Sequence, residues 1–122
     1  MIRVFEPKIY FKDKFAILSA LNKKNISGSS YEIDKFESSL SEYFDRSFVA
    51  TLSNGSVALE VALKSLNLEI DDEVIIPSFT IISCLSAVVR SGGKPVFCDV
   101  DRLSWNMTLN DIKKVKTSKT KA

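Results

Sequence analysis

The chain has 122 residues, a formal net charge of +2, 45% hydrophobic residues and eight phenylalanines. These values suit one globular domain and exclude a disordered chain, and so small a charge gives no electrostatic reason to bind nucleic acid or an anionic membrane. The sequence contains no histidine, which rules out Ser-His-Asp triads, Cys-His pairs and histidine-ligated metals.

Met1 to Pro7 lacks the layout of a secretory signal, and no apolar run is long enough to span a bilayer, so the sequence reads as cytoplasmic. Phe15, Leu18 and Leu21 recur at helical spacing and predict a short first helix. Asn25 to Ser30 is a polar loop. Ile33, Phe36, Leu40, Tyr43 and Phe44 then share one face of a second helix, with Ser30 as its candidate cap and Glu32 and Asp34 in its first turn.

Phe48–Leu52 is short, apolar and partly β-branched, and predicts a buried strand. Ser53-Asn54-Gly55-Ser56 turns that strand into a helix from Val57 to Leu66. Its apolar residues, Val57, Leu59, Val61, Ala62, Leu63 and Leu66, predict burial on most sides. Asn67 to Asp72 is a polar connection. Glu73 to Ile76 predicts a second strand, ended by Pro77. Thr80 to Arg90 reads as a helix stopped by Gly92-Gly93. Pro95 to Val100 predicts a third strand. Strands alternating with helices imply βαβ units, a mostly parallel sheet and right-handed crossovers. Cys84 and Cys98, the only cysteines, lie in apolar segments and read as buried free thiols rather than a disulfide or metal site. Lys113, Lys114, Lys116, Lys119 and Lys121 crowd the end of the chain, where a solvated polar segment is the commoner reading and a nucleic-acid arm the rarer one. Three Asn-x-Ser/Thr sequons, at Asn25, Asn54 and Asn106, are chance occurrences without a secretory signal.

Ligands of such sheets bind beyond the carboxyl ends of the strands. Here those ends carry Ser53–Ser56, Pro77–Thr80 and Asp99–Asp101. A helix that starts at Ser53–Ser56 leaves its first backbone N–H groups unpaired, and these donors and the helix dipole suit a phosphate. A glycine there lets an anion approach the backbone. An ordinary helix cap uses the same residue types, so the tetrapeptide alone leaves both readings open.

Several strings in order carry a resemblance. They are Asn25-Ile26-Ser27-Gly28, Ser53 to Leu59, Asp72 to Thr80, Gly93 to Asp101, and Trp105-Asn106. In order and spacing they resemble the DegT/StrS-type sugar aminotransferases, which use pyridoxal 5′-phosphate (PLP) to aminate keto-sugars on nucleotide carriers. The resemblance runs from about Val4 to Ala122. It implies an α/β fold: the N-terminal fragment of the PLP-dependent transferase type I (aspartate aminotransferase-like) large domain, with three strands alternating with helices. Residues 1–46 would be N-terminal helices, 47–101 a βαβαβ portion, and 102–122 a polar, lysine-rich end where the match is cut short. It also implies roles. Gly55 and Ser56 would donate backbone N–H groups to the PLP phosphate, with Asn54 in the same turn and the Ser56 hydroxyl adding a bond. Phe79 would stack on the pyridine ring. Ser27 and Gly28 would lie near the substrate and the dimer interface. Asp99 and Asp101 would close a strand rather than bind metal. The complete family implies a homodimer, a nucleotide-sugar substrate and an amino donor, with surface-polysaccharide or O-antigen synthesis as the setting. It implies no nucleic-acid or membrane partner.

The resemblance also says what to look for and not find. Aminotransfer needs a Schiff-base lysine and an acidic partner for the pyridine nitrogen. In the family both lie downstream of Lys119-Thr120-Lys121-Ala122, a tail that resembles the segment just before the fourth family strand. No terminal lysine matches the catalytic one, so catalytic residues are expected to be none and the chain is expected to be inactive alone. A split gene, a non-catalytic remnant and the lysine-lacking dehydratase lineage are each compatible with this. Without the strands that neighbour it in the complete fold, Phe48–Leu52 would stay detached or re-pair, and apolar surface would be exposed. A flavodoxin- or Rossmann-like nucleotide-binding module is the alternative, but its Gly-x-Gly-x-x-Gly fingerprint is missing. A basic-tailed interaction protein has only the terminal lysines in its favour.

Overall fold

A computed structural model describes residues 5–122. The chain divides into two compact units, Met1–Thr51 and Leu52–Ala122.

The first unit holds helices α1 (Phe11–Asn22) and α2 (Tyr31–Phe44). α1 ends because Lys24 turns left-handed (φ 58°). The amide of Asn25 then bonds back to the Ala20 carbonyl at 2.9 Å, and that of Lys24 to the Leu21 carbonyl at 3.0 Å, closing the last turn. α2 starts at Ser30, as its sequence suggests, but the Ser30 side chain makes no capping bond. Phe48–Leu52 forms no strand. A strand needs a ladder, and here the Thr51 amide donates instead to the Glu37 carboxylate at 2.6 Å, with the Thr51 hydroxyl adding a second bond at 2.8 Å. Phe48 stays 94% exposed.

The second unit is built on a parallel pair, β1 (Glu73–Pro77) and β2 (Lys94–Cys98), in register from Glu73 opposite Lys94 to Pro77 opposite Cys98. Helix α4 (Ile82–Arg90) makes the crossover. Its start falls two residues later than the sequence suggests, because Ile81 is extended (φ −72°, ψ 144°) and serves as the N-cap. β2 stops at Cys98 rather than Val100, because the Asp99 side chain takes the Val100 amide at 2.9 Å. α4 covers the sheet, and Val74, Ile76 and Val88 form the core with Leu63, Leu68 and Leu85 against it. Each such side chain, fully buried, contributes about 1.5–3 kcal/mol. Gly93 packs closely: a Cβ there would lie 2.9 Å from Leu68 Cδ1, so that side chain would have to shift.

Helix α3 (Gly55–Lys64) packs on α4. The sequence suggests burial on most sides, but α3 has no buried residue. An apolar run fixes what a helix can bury, not how many neighbours are present to bury it.

The lysine-rich end is not a solvated tail. Ile112 and Val115, both half-buried, belong to a fifth helix, α5 (Leu109–Val115), which packs on β2, while Leu109 stays 66% exposed. Thr108 caps α5 by accepting from the Asp111 amide at 3.2 Å. Lys114, Lys119 and Lys121 pair with Asp111, Asp71 and Asp72 at 2.8, 3.4 and 3.8 Å. The final residues lie along the free edge of β1. The Glu73 amide donates to the Lys119 carbonyl (2.9 Å), the Lys121 amide to the Glu73 carbonyl (2.9 Å) and the Ile75 amide to the Ala122 carbonyl (2.8 Å). The buried Glu73 carboxylate takes the Thr117 hydroxyl. Both edges of β1 are therefore occupied, with β1 central.

Candidate functional site

Helix α3 starts at Gly55 and ends at Lys64, two residues earlier at each end than the Val57–Leu66 that the apolar pattern suggests, because Asn54 caps it. Asn54 is extended, and its Oδ1 accepts the Val57 amide at 3.0 Å while its carbonyl accepts the Ala58 amide at 3.1 Å. The first is one of the donors a helix start leaves over, and the second is the first regular bond of the helix. The amides of Gly55 and Ser56 have no acceptor among the described residues. A Cβ on Gly55 would meet nothing within 4 Å. The tetrapeptide is thus both things its sequence allowed: a cap made by Asn54, and beside it two open amides at the positive end of a helix dipole. A phosphate fits this donor set, which offers two amides and clear space.

The Ser56 hydroxyl is not idle. It bonds the Ser83 hydroxyl at 2.9 Å, tying the first turn of α3 to that of α4. Clefts of about 360 and 640 Å³ open on either side of this pair, and Ser56 and Ser83 line both. α4 begins without a side-chain cap. Ser83 was missed from sequence. The available signal was a hydroxyl in the first turn of a helix that follows a strand end, the same signal that picked out Ser56.

Phe79 lies beyond the end of β1 and is 59% exposed, not a core aromatic. The parallel ladder runs one bond past Pro77, with the Ser78 amide on the Cys98 carbonyl at 2.8 Å, which brings Phe79 to the exit of β2. There it meets Trp105, ring centroids 4.7 Å apart and planes at 69°. Phe79 lines a separate cleft of about 260 Å³ with Asp99, Asp101, Arg102 and Trp105, not those at Ser56. No lysine lines any of these three clefts.

Asp101 is spent on structure. Its Oδ2 accepts the amides of Ser104 at 2.7 Å and Leu103 at 3.0 Å, and these bonds, led by Ser104, hold its carboxyl below the usual value. Cys98 is buried, and desolvation pushes its thiol up. Cys84 is only half-buried and contacts the Thr80 hydroxyl at 3.2 Å. Ser27 and Gly28 belong to the first unit, in the open loop between α1 and α2. The Ser27 and Ser29 hydroxyls share a bond there at 3.2 Å. No helix among the described residues is long and apolar enough to cross a membrane.

Residues 10–122 match the DegT/DnrJ/EryC1/StrS aminotransferase family. The chain is 37% identical to GDP-perosamine synthase of Escherichia coli O157:H7 over 121 residues, covering 99% of this chain and 33% of that protein. Its fold is similar to an aminotransferase from Psychrobacter cryohalolentis, with TM-score 0.85 and 34% identity over 94% of this chain and 29% of the other. NtdA from Bacillus subtilis, solved with bound cofactor PMP, gives TM-score 0.81 and 29% identity over 93% of this chain and 27% of the other. The chain spans about a third of the length of the curated relatives it matches.

Proposed function

The chain belongs to the DegT/DnrJ/EryC1/StrS aminotransferase family, and we propose that it carries the phosphate- and ring-holding part of a PLP site in an enzyme that aminates keto-sugars on nucleotide carriers. The observation that supports this most is the pair of unpaired amides on Gly55 and Ser56, beside the Asn54 cap and facing open space. PLP, when bound, supplies the electron sink for amino transfer. The residues of this chain hold it. The Gly55 and Ser56 amides and the positive end of α3 bind the phosphate. The Ser56 hydroxyl donates its proton to Ser83 Oγ and reaches the phosphate only by exchanging that bond. Phe79 is offered for the pyridine ring by family analogy alone, since it lines a cleft apart from those at Ser56, where Ile81 is the apolar neighbour. The Schiff-base lysine is not assigned to this chain, because none lines the clefts at Ser56 or Phe79. Within this reading, residues 1–46 precede a cofactor-holding segment at 47–101, and a lysine-rich segment at 102–122 follows it. Ser27 and Gly28 serve the sugar substrate, and the working enzyme is a cytoplasmic homodimer that feeds surface-polysaccharide synthesis, by family analogy.

The test uses pyridoxamine 5′-phosphate, which has no aldehyde and so forms no bond with stray lysines. The full chain should show saturable binding, seen as circular dichroism induced in the cofactor band and competed by inorganic phosphate. No induced signal, or one that phosphate leaves untouched, would overturn the reading. Separately, PLP with borohydride should label no single lysine. A stoichiometric adduct at one position would overturn the assignment of the lysine elsewhere.

A further inference from the structure

Phe79 and Trp105 form a corner beyond the ends of β1 and β2, and each keeps more than half its surface open, 59% and 58%. Trp105 is the only tryptophan in the chain. Its backbone is left-handed, φ 60°, a region bulky side chains rarely occupy. The surrounding turn holds it there. The Trp105 amide donates to the Asp101 carbonyl at 2.9 Å, and the Asp101 amide to the Asn106 carbonyl at 3.0 Å. The Asp101 carboxylate takes the two intervening amides, of Leu103 and Ser104, and is thereby spent. Asp99 and Arg102 line the same cleft. Asp99 Oδ1 accepts the Val100 amide at 2.9 Å. Its second oxygen and the Arg102 guanidinium have no hydrogen-bond or ion-pair partner among the described residues.

We infer that this corner is a subsite for one pyranose ring, with Phe79 and Trp105 against its C–H face and Asp99 and Arg102 on its hydroxyls. The space, about 260 Å³, lies below the roughly 300–1,000 Å³ of drug-sized pockets and suits a single small ring. Sugar C–H groups carry slight positive charge and are drawn to the negative face of an aromatic ring. A hydroxyl both donates and accepts, so a sugar can donate to the free Asp99 oxygen and accept from Arg102. A bare cation would meet Arg102, and a phosphate ester would meet Asp99 and Asp101, so each finds a like charge in the cleft. A neutral polyhydroxylated ring uses every open group present. A cofactor phosphate at Gly55 and Ser56 has Ile81 as its apolar neighbour, which leaves the Phe79 face to another ligand. The subsite stands on its own cleft, and the assignment of its ring to a nucleotide-linked sugar rests on the reading above.

The test titrates the full chain with methyl β-D-glucopyranoside, whose ring substituents are all equatorial, so that both ring faces are C–H surfaces. Trp105 is the sole indole, so tryptophan emission reads this cleft alone. A solvent-open site and so small a ligand predict a saturable emission change with a Kd on the order of 1 mM. Sorbitol, which has the hydroxyls but no ring, should leave emission unchanged. Phe79→Ala should weaken binding about two- to tenfold. Asp99→Asn keeps an oxygen for the Val100 amide but loses the charge, and should also weaken binding about two- to tenfold. Far-UV circular dichroism and melting identify the variants that fold. A change that does not saturate, that sorbitol reproduces, or that a folded variant leaves intact would overturn the inference. Pyridoxamine 5′-phosphate competing for the same signal would put the cofactor at this corner and overturn it too. The dichroism assay of the cofactor reading contains no sugar. Sugar binding without cofactor binding therefore ends that reading and upholds this subsite, and cofactor binding without sugar binding ends this subsite alone.

Discussion

Replacing Asn54 with aspartate separates its two jobs. A carboxylate oxygen can still accept the Val57 amide, now at 3.0 Å from Oδ1. The added charge sits at the positive end of α3, where it should contribute about 0.3–1 kcal/mol. Asn54→Asp should therefore leave the melting temperature of the second unit unchanged or raise it by a few degrees, since 1 kcal/mol shifts a small domain by about 4–8 °C. Asn54→Ala loses the cap and should lower stability by about 1 kcal/mol. Binding should rank differently. The new carboxylate stands beside the Gly55 and Ser56 amides, so it repels the phosphate those amides hold. Two unit charges about 4 Å apart cost about 1 kcal/mol in water and about 4 kcal/mol at a surface dielectric near 20. Asn54→Asp should thus weaken pyridoxamine 5′-phosphate at least about fivefold, and less so in high salt, while Asn54→Ala weakens it less. Melting curves and dichroic titrations at two salt concentrations make the comparison. Tight binding by Asn54→Asp would refute a phosphate site at this turn. A stable Asn54→Ala would refute the cap.

Glu37 supplies an acid-sensitive anchor: the Thr51 amide and hydroxyl bond its carboxylate and hold its pKa below the ordinary 4.5. A depressed carboxyl stabilises above its unfolded value and loses that effect as pH falls through the folded one. Hydrogen-exchange protection of the Thr51 amide, corrected for intrinsic rate, should therefore be full at neutral pH and fall below about pH 4.5. Glu37→Gln should flatten that dependence. In the second unit Val88 is 1% exposed, and Val88→Ala should cost about 2 kcal/mol through lost burial and the cavity left behind, read as a lower melting temperature. Phe5, Phe48, Ile70 and Leu103 are 85%, 94%, 89% and 92% exposed. The full chain should accordingly bind 8-anilinonaphthalene-1-sulfonate at neutral pH with enhanced, blue-shifted emission. A chain that leaves the dye dark would show these groups covered in solution.

What the sequence made legible is what short-range chemistry determines. The Asn54-Gly55-Ser56 turn into α3, the β1 and β2 strands, the Gly92-Gly93 stop and the strand-end position of Phe79 all follow from residue type and spacing within a few positions. What it did not reveal depends on partners distant in sequence. Phe48–Leu52 has the composition of a strand, yet Glu37 satisfies the Thr51 amide and no ladder forms. The lysines near the end masked α5, because charge crowding hid Leu109, Ile112 and Val115 at helical spacing. Ser83 and Trp105 stayed invisible for a related reason. Each matters through a contact, with Ser56 or with Phe79, and neither contact has a local signature.

The same division explains why so open a structure still offers a defined site. The hydrophobic core is small, with Val74, Ile76 and Val88 at its centre, and α3 buries no residue fully. A site whose geometry depended on deep packing would be loose here. This one does not. The amides of Gly55 and Ser56 are aimed by the first turn of a helix, and that turn is held by the Asn54 cap three residues away in sequence. Trp105 is aimed by a turn closed on Asp101 within six residues. Only two contacts, Ser56 with Ser83 and Phe79 with Trp105, need long-range placement, and both join elements that leave the same ends of β1 and β2 or the helices packed beside them. Hydrogen bonds local in sequence thus preorganise the donors, and the small parallel core only has to bring three turns to one end of the sheet.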